Sequence, residues 1–300
     1  KAEKGYKMTR QEISTQAGSR IKRYERLFTT KVYNALQSEV LSFIANYKAY
    51  GKTYAEYHLK PNGRMERVLR SLYLTITPAE ATRTYGAIRK QYGVPVKRAS
   101  FGYSATWNED VKRYLDKFLL EKAVLPISET TKDWILRVLK RGIEEGKGVE
   151  EIVRELRDSD ITRNRAMKIV RTESVRAANF GYMIGAYDSD YEMVKEWVAV
   201  EDGRTRRTHS HATGVDGEKR DLMKPFSNGL QYPGDPTAPA KETINCRCVV
   251  TFRVKRDAQG NPIVKRKPVV QFRRSVIDLL LAGLSQFLIQ NAVDNLMSAE

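Results

Sequence analysis

The hydrophobic pattern of the sequence changes abruptly after Asp190, and this change constrains the fold more than any other feature. Before it, apolar residues recur at three- and four-residue spacing, which is typical of amphipathic helices that share a core. After it, residues 191–201 alternate as in a β-strand, residues 202–243 are rich in Gly, Pro, Asp and Thr, and residues 248–254 regain strand character. We therefore predict an α+β fold that is mostly α: an N-terminal multi-helix domain, a small loop-rich β domain and a C-terminal helix.

The same patterns divide the chain into four predicted segments. These are a basic helical domain (1–126), a helical block leading into the motif region (127–190), a small β and loop domain (191–254), and a linker with a C-terminal interaction helix (255–300). Within the helical part, Pro78 and Pro126 are expected to end helices, because proline lacks the backbone donor that a helix interior uses. Residues 92–103 contain Gly and Pro and are predicted to form a loop.

Residues 275–297 are predicted to form the C-terminal helix, and their apolar surface is wider than one helix face. Such a helix needs partners on more than one side. Either it docks on the N-terminal domain of its own chain, or it mediates self-association between subunits. Its longest apolar stretch, residues 276–288, is interrupted by polar side chains and is shorter than the roughly 18 apolar residues of a membrane span, so we predict no membrane span.

The positive charge of the chain is concentrated in its first third. The formal net charge is +17, and residues 1–100 hold 20 basic against 7 acidic side chains. Such a surface attracts phosphate by releasing counterions, which predicts non-specific contact with double-stranded DNA. The candidate contacts lie on the polar face of the first predicted helix: Lys22, Arg23, Arg26 and Lys31. The alternative is a solvated helix surface that only keeps the protein soluble.

Two of the three histidines and both cysteines lie in the segment after Asp190, in a chain whose cysteine content does not indicate a secreted disulfide protein. His209, His211, Cys246 and Cys248 are candidate ligands of a tetrahedral zinc ion. Their His-x-His and Cys-x-Cys spacing is tighter than the pairs of common zinc ribbons, although residues two apart on a strand share a face. The alternative is that the cysteines are small core residues and the histidines face solvent.

A catalytic interpretation of this segment would have a metal ion or His209 activate water against a phosphodiester, with Arg204 and Arg206 stabilising the developing charge. This would make the chain a metal-dependent nuclease or phosphoryl-transfer enzyme. We favour the alternative, in which Asp202 and Gly203 form a turn and the arginines pair with carboxylates such as Glu201 or Glu242, because no general base accompanies them at motif spacing. We therefore assign no catalytic residue.

The order of several short motifs resembles the phage Mu F-like head-morphogenesis family, the minor head proteins of tailed phages. The resemblance covers roughly residues 130–252. It rests on Arg171-Thr-Glu173, Gly181, Trp197, Asp202-x-Arg204-Thr-Arg206-x-x-His209, Gly217, Pro233, Asp235-Pro236 and Asn245-Cys246-Arg-Cys248.

This resemblance implies a minor capsid protein that acts in head morphogenesis near the portal vertex and contacts genomic DNA during packaging or delivery. The implied partners are the portal protein and other capsid components, and the implied locations are the phage head and, during assembly, the host cytoplasm. No enzymatic activity is implied. The matching positions are Glu173, Asp202, Arg206, His209, Asn245, Cys246 and Cys248. His211 is outside the family pattern, which leaves Asp202, His211 or water as the fourth ligand of a bound metal.

Overall fold

A computed structural model of the chain describes residues 9–60, 63–91, 100–157 and 159–265, and of residues 100–106 and 159–161 it describes the backbone alone. The helices are α1 (Arg10–Tyr57), α2 (Arg64–Gln91), α3 (Ser100–Tyr114), a π-helical segment (Leu115–Val124), α4 (Leu125–Glu144), α5 (Val149–Leu156), α6 (Ser159–Tyr187) and the single turn α7 (Ala240–Thr243). The strands are β1 (Met193–Val198), β2 (Lys219–Asp221) and β3 (Val249–Val254). The predicted mostly helical α+β fold is confirmed. The predicted C-terminal helix over residues 275–297 lies outside the described residues.

Helix α1 is long because its start is capped and its apolar stripe is buried along much of its length. The Thr9 hydroxyl accepts the backbone N–H of Glu12, and the Glu12 carboxylate accepts the backbone N–H of Thr9, which forms a capping box. Buried side chains of α1 extend from Ala17 to Ile44, and Ala55 near the end of the helix is buried as well. Near its end Gly51 has φ 80° and ψ −179°, a conformation that glycine adopts readily, and the helix is kinked there.

Helix α6 lies at the centre of the molecule, packed against both α2 and α1. Its small residues allow the close approach to α2. A Cβ placed on Gly181 would lie 2.5 Å from the backbone oxygen of Thr77, and one on Gly185 would overlap the backbone oxygen of Ala81. The two helix backbones are therefore in direct contact.

Two helix ends that the sequence predicts at proline are wrong. Pro78 lies inside α2, which continues to Gln91 because the buried face of the helix runs through the proline, from Tyr73 before it to Tyr85 after it. Packing of that face offsets the lost hydrogen bond. Pro126 lies in the first turn of α4, directly after the π-helical segment, and that segment joins α3 to α4 without a break. The predicted loop over 92–103 is helical from residue 100, and residues 92–99 lie outside the described part.

The three strands form an antiparallel sheet in the order β2-β1-β3. Asn179 of α6 pins the sheet edge to the helices: its side-chain amide donates to the carbonyl of Cys248 at 3.1 Å, and its Oδ1 accepts the N–H of Val250 at 2.8 Å. Apolar side chains from α1, α2, α3, α6, β1 and β3 belong to one continuous core. A second cluster joins the later half of α1 to α4 and α5. In the described part of the chain, no helix is both long and apolar enough to cross a membrane.

Candidate functional site

The fold brings together three of the four predicted metal ligands. His209 lies on a 3-10 turn (Arg207–His209) that follows β1, and Cys246 and Cys248 lie in the segment that enters β3. The Nδ1 atom of His209 is 3.7 Å from the sulfur of Cys246 and 3.6 Å from that of Cys248, and the three donor atoms lie within 4.8 Å of one another. The exposed fractions are 1%, 2% and 4%. The cluster is therefore compact and closed to solvent.

The segment before the cysteines is held by hydrogen bonds to α6 and to the loop after β1. Asn245 has a φ of 60°, which a non-glycine residue rarely adopts. Its backbone N–H donates to the Thr172 hydroxyl at 2.8 Å, and its side-chain oxygen accepts from Arg171 at 3.0 Å. Arg206 donates to the backbone carbonyls of Lys241, at 2.5 Å, and Ile244. These bonds fix the turn from which the Cys-x-Cys pair begins.

The other ring nitrogen of His209 faces a carboxylate. Its Nε2 is 3.0 Å from Oε2 of Glu242, an ion-pair distance without the alignment of a hydrogen bond. The same carboxylate oxygen accepts from the Thr208 hydroxyl at 2.8 Å. The ring of Trp197 packs edge-on against the imidazole, with centroids 4.9 Å apart. The imidazole thus points Nδ1 at the sulfurs and Nε2 at Glu242.

The two thiols differ in acidity because they contact each other. A hydrogen bond with Cys248 lowers the pKa of Cys246, since it stabilises the Cys246 thiolate. The same contact raises the pKa of Cys248, and burial adds to the rise. The first ionisation of the pair therefore leaves a thiolate that is stabilised by the thiol that stays protonated.

His211 is not part of the cluster, contrary to the four-ligand prediction. Its side chain is 71% exposed, and its Nδ1 lies 3.5 Å from a carboxylate oxygen of Asp216. Its backbone N–H donates to Glu201 at 3.0 Å. The two histidines point apart because His209 closes the 3-10 turn and His211 follows it on the exterior, so the alternation of a strand does not apply to them.

Asp202 and the neighbouring arginines make structural contacts. The Asp202 carboxylate forms a two-point ion pair with Arg247, one of whose contacts is 2.7 Å long, and it accepts the backbone N–H of Arg204 at 3.0 Å. The hydrogen bond from Arg247 holds the pKa of Asp202 below its ordinary value. The predicted turn is present, but Arg206 binds backbone carbonyls and does not pair with Glu201 or Glu242. That part of the prediction is wrong, because α7 presents its final carbonyls to the guanidinium.

Glu173 is a buried anchor between helices. Its carboxylate accepts from the Tyr73 hydroxyl of α2 at 2.7 Å and from Arg176 at 3.1 and 3.2 Å. Arg176 in turn donates to the carbonyl of Gly234 at 2.9 Å. The pair joins α2, α6 and the loop before α7, and its buried charges are fully paired, as burial requires.

The predicted DNA-binding residues are exposed on α1, and two of them line a groove. The groove has a volume of about 620 Å³, lies between α1 and α2, and is lined by four arginines: Arg20, Arg23, Arg26 and Arg83. Arg20 and Arg83 share the buried carboxylate of Glu80, at 3.1 and 3.6 Å. No carboxylate of the described residues pairs with Arg23 or Arg26. We call this feature the arginine groove.

The remaining two predicted DNA contacts lie outside the arginine groove. Lys22 is exposed on α1, and the Nζ atom of Lys31 lies 4.9 Å from the ring centroid of Phe28. Lys31 lies five residues after Arg26 and so faces another side of α1, whereas Lys22 lies one turn before Arg26 but does not line the groove.

Sequence reasoning missed three groups that hold the site in place. Asn179 was overlooked, although a polar amide among the small and apolar residues Ala177, Ala178 and Phe180 marks a position with a specific partner. The two others are Arg176, described above, and Arg10, which bridges Glu196 at 3.3 Å and Asp216. Arg10 is far from its partners in sequence, and no local pattern indicates the pairing.

The comparisons with known proteins concern this same part of the chain. Residues 133–251 match the model of a protein family described as "Phage Mu protein F like protein". A curated relative is the NAD(+)–arginine ADP-ribosyltransferase EFV of Enterococcus faecalis (strain ATCC 700802 / V583), with 32% identity over 113 residues, which are 36% of this chain and 23% of the relative. The chain therefore spans less than a quarter of that protein's length. No solved structure gives a significant match.

The matched region begins in α4 and ends in β3. It contains the buried anchor Glu173, the Asp202 turn and the His209, Cys246 and Cys248 cluster. The residues that the family resemblance singled out thus lie in one matched and structurally continuous region. Residues 133–251 are therefore similar to the phage Mu F-like family, the same family that the order of the motifs resembles.

Proposed function

We propose that this chain is a head-morphogenesis protein of a tailed phage, assembled in the host cytoplasm and retained in the virion near the portal vertex, where it contacts genomic DNA. The observation that carries the proposal is the family match over residues 133–251, which supports a phage head protein. The portal and DNA contacts go beyond that match. The DNA contact is supported by the charge and shape of the arginine groove, and the portal contact rests on the resemblance to minor head proteins.

The arginine groove is the surface that suits DNA. Arg23 and Arg26 carry charges that no described carboxylate neutralises, whereas Arg20 and Arg83 are held by Glu80 and fix the wall of the groove. Guanidinium groups bind phosphate oxygens through planar, two-point contacts. The residues that line the groove all lie on α1 and α2, and no loop lines it that could contact base edges. We therefore propose phosphate contact without sequence specificity.

Binding of fluorescent double-stranded DNA tests the DNA contact. Binding should weaken steeply between about 50 and 200 mM salt, because counterions are released at each phosphate contact. The double variant Arg23→Ala/Arg26→Ala should bind more weakly and lower the slope of log K against log salt by about 2. The matched control is Arg113→Ala/Lys117→Ala, which removes two exposed charges outside the groove. Equal losses in the two double variants, or binding that is independent of salt, would contradict the groove as the binding surface.

Capture of the phage's portal protein by the full chain tests the portal contact. The expected result is co-purification of the two proteins from cells that express both, with density for this chain near the portal vertex in images of intact heads. The co-purification is repeated with a chain that lacks residues 275–297. Loss of the portal protein would show that the predicted C-terminal helix makes this contact, and retention would leave self-association as its role. If the chain were found in heads but did not contact the portal protein, the proposed location near the portal vertex would be refuted.

We propose a non-enzymatic role for the His209 cluster. The three side chains are buried, and the adjoining cavity of about 10 Å³ has room for about one water and none for a phosphodiester. Asp202 and Arg206 are engaged in structural bonds. The transferase activity in the name of the Enterococcus relative belongs to a protein of which this chain matches 23%. A nuclease would require an open coordination position that faces substrate.

A further inference from the structure

The geometry of the His209, Cys246 and Cys248 cluster is that of a metal site. Tetrahedral zinc has Zn–S distances of about 2.3 Å and Zn–N distances of about 2.0–2.1 Å, which place sulfur and nitrogen ligands about 3.6 Å apart. The two measured distances from Nδ1 to the sulfurs are 3.7 and 3.6 Å. A single imidazole lone pair accepts one hydrogen bond well, so two sulfurs at equal distance from one nitrogen are better explained by a shared cation.

The surroundings of the cluster also suit a metal. The carboxylate of Glu242, held by Thr208, lies 3.0 Å from the Nε2 atom of His209, on the side away from the sulfurs. Metal-binding imidazoles usually have a carboxylate beside the ring nitrogen that faces away from the metal, and Glu242 takes this place at an ion-pair distance without an aligned hydrogen bond. This position also excludes Glu242 as a ligand of an ion bound at Nδ1, because the two ring nitrogens point in different directions.

The fourth coordination position must come from solvent. Asp202 is held by Arg247, and His211 is exposed and contacts Asp216. A cavity of about 10 Å³ adjoins His209 and both cysteines, which is about the room that one water needs. Within the described residues, this is the one group of three or more His, Cys, Asp or Glu side chains with metal-binding spacing.

We propose that Nδ1 of His209 and the thiolates of Cys246 and Cys248 bind one zinc ion, with a water oxygen as the fourth ligand. Two thiolates and one imidazole favour zinc over magnesium or calcium, which prefer oxygen ligands. Binding replaces protons on sulfur by the metal, so each thiol that is protonated beforehand releases one proton to solvent, and no electron is transferred. The ion joins the turn after β1 to the entry of β3, positions 37 and 39 residues apart in sequence. It would stabilise a part of the chain that has little regular secondary structure.

Metal analysis of the full chain, purified without chelator, tests the proposal. The expected content is about one zinc per chain, falling to a small fraction in His209→Ala and Cys246→Ser. His211→Ala and Asp202→Asn are the matched controls and should keep the full content. Zinc well below one per chain in the wild type after exposure to ZnCl2, or zinc lost in His211→Ala, would overturn the ligand set.

A second measurement covers the case in which the ligand variants fail to fold. Wild-type chain stripped of metal and titrated with CoCl2 should develop a thiolate-to-cobalt absorption band and the intense visible bands of tetrahedral cobalt. His209→Cys, which replaces imidazole by a third thiolate, should retain zinc and strengthen the thiolate band. Absence of the band in folded wild type, or a His209→Cys chain that is folded but free of metal, would refute the site. Neither result depends on portal or DNA binding.

Discussion

Lys195 is a residue whose charge opposes folding at neutral pH. It is fully buried in β1, where its Nζ donates to the carbonyl and the side-chain oxygen of Gln231 at 2.7 and 2.9 Å and lies 4.9 Å from the ring centroid of Phe226. Burial lowers its pKa from 10.5 to about 7, and the nearby carboxylates of Asp235 and Glu218 partly oppose this. A neutral amine can still donate both hydrogen bonds, so the folded state tolerates loss of the proton.

The pH dependence of stability should report this lysine. Between pH 7 and 10.5 the unfolded chain holds a proton on Lys195 that the folded chain has released, so the free energy of unfolding rises with pH in that window. The slope from this group is at most about 1.4 kcal/mol per pH unit. Urea unfolding at several pH values between about 7 and 9 should show that the free energy of unfolding rises more with pH in wild type than in Lys195→Met. For the exposed control Lys219→Met, the free energy of unfolding should change with pH as it does in wild type. If the Lys195→Met values also changed with pH as in wild type, Lys195 would not be the titrating group.

At the scale of single residues, the sequence predicted which rare residue types form a site better than it predicted hydrogen bonds between residues distant in sequence. His209, Cys246 and Cys248 were predicted to lie together because Cys and His are rare in this chain. His211 was expected to join them as a fourth nitrogen or sulfur ligand, and the structure separates it because the chain turns between the two histidines. Asn179 and Arg176 were missed, since a polar side chain on a buried helix face reveals its importance only through a distant partner.

At the scale of elements, the contact between α2 and α6 depends on two glycines. Adding a methyl group at Gly181 would place it 2.5 Å from the Thr77 backbone oxygen, which a side-chain rotation cannot relieve. We expect Gly181→Ala to lower the free energy of unfolding by about 1–3 kcal/mol, as overpacking does. In contrast, a Cβ on Gly86 of α2 meets nothing within 4 Å. Gly86→Ala should raise stability by up to about 1 kcal/mol, because alanine favours helix over glycine.

Thermal or urea unfolding of the two variants measures these effects. The pair is matched in chemistry, since each adds one methyl group to a helical glycine. Equal effects would mean that α2 and α6 can separate without cost, against the packing described above.

The sequence predicted where helices lie better than it predicted the residues at which they end. Within the described residues, apolar periodicity predicted where helices occur, because the long helices bury a stripe of apolar side chains. Pro78 and Pro126 were expected to end helices, yet α2 passes through Pro78 and the helical path from α3 passes through Pro126. Local propensity is worth a few kcal/mol, and the packing of a buried face exceeds it.

At the scale of the whole molecule, Arg10 joins the start of α1 to the sheet. It is 3.3 Å from the carboxylate of Glu196 and also bonds to Asp216, whose carboxylate accepts the Ala199 N–H at 2.7 Å. Both carboxylates are 4% exposed. Arg10→Ala would leave these buried charges with less compensation, and we expect a loss of about 1–3 kcal/mol with faster amide exchange in β1.

The control for this prediction is Lys48→Ala. Lys48 also makes a long-range ion pair from α1, with Glu150 at 2.5 Å, but both side chains are exposed. Removing it should change stability by about 0–1 kcal/mol. If Arg10→Ala had as little effect as Lys48→Ala, the start of α1 would not stabilise the sheet.

The packing of the helices and strands against one another was the feature that the sequence predicted least well. Hydrophobic periodicity shows which face of α1 is buried but not that α6 and β3 pack against α1. The sequence pattern changes at Asp190, yet apolar side chains before and after that residue share one core. A change of secondary structure therefore does not mark a change of hydrophobic core.

The position of α1 against elements from the far end of the matched region has a consequence for synthesis. At translation rates of roughly 5–20 residues per second, α1 leaves the ribosome about 10–40 s before β3 is made. Throughout that interval its apolar stripe lacks the part of its cover that the later elements supply. A messenger cut short before the codons for β3 yields a product that cannot complete its core. Only translation past the codons for β3 then delivers a molecule with a complete hydrophobic core.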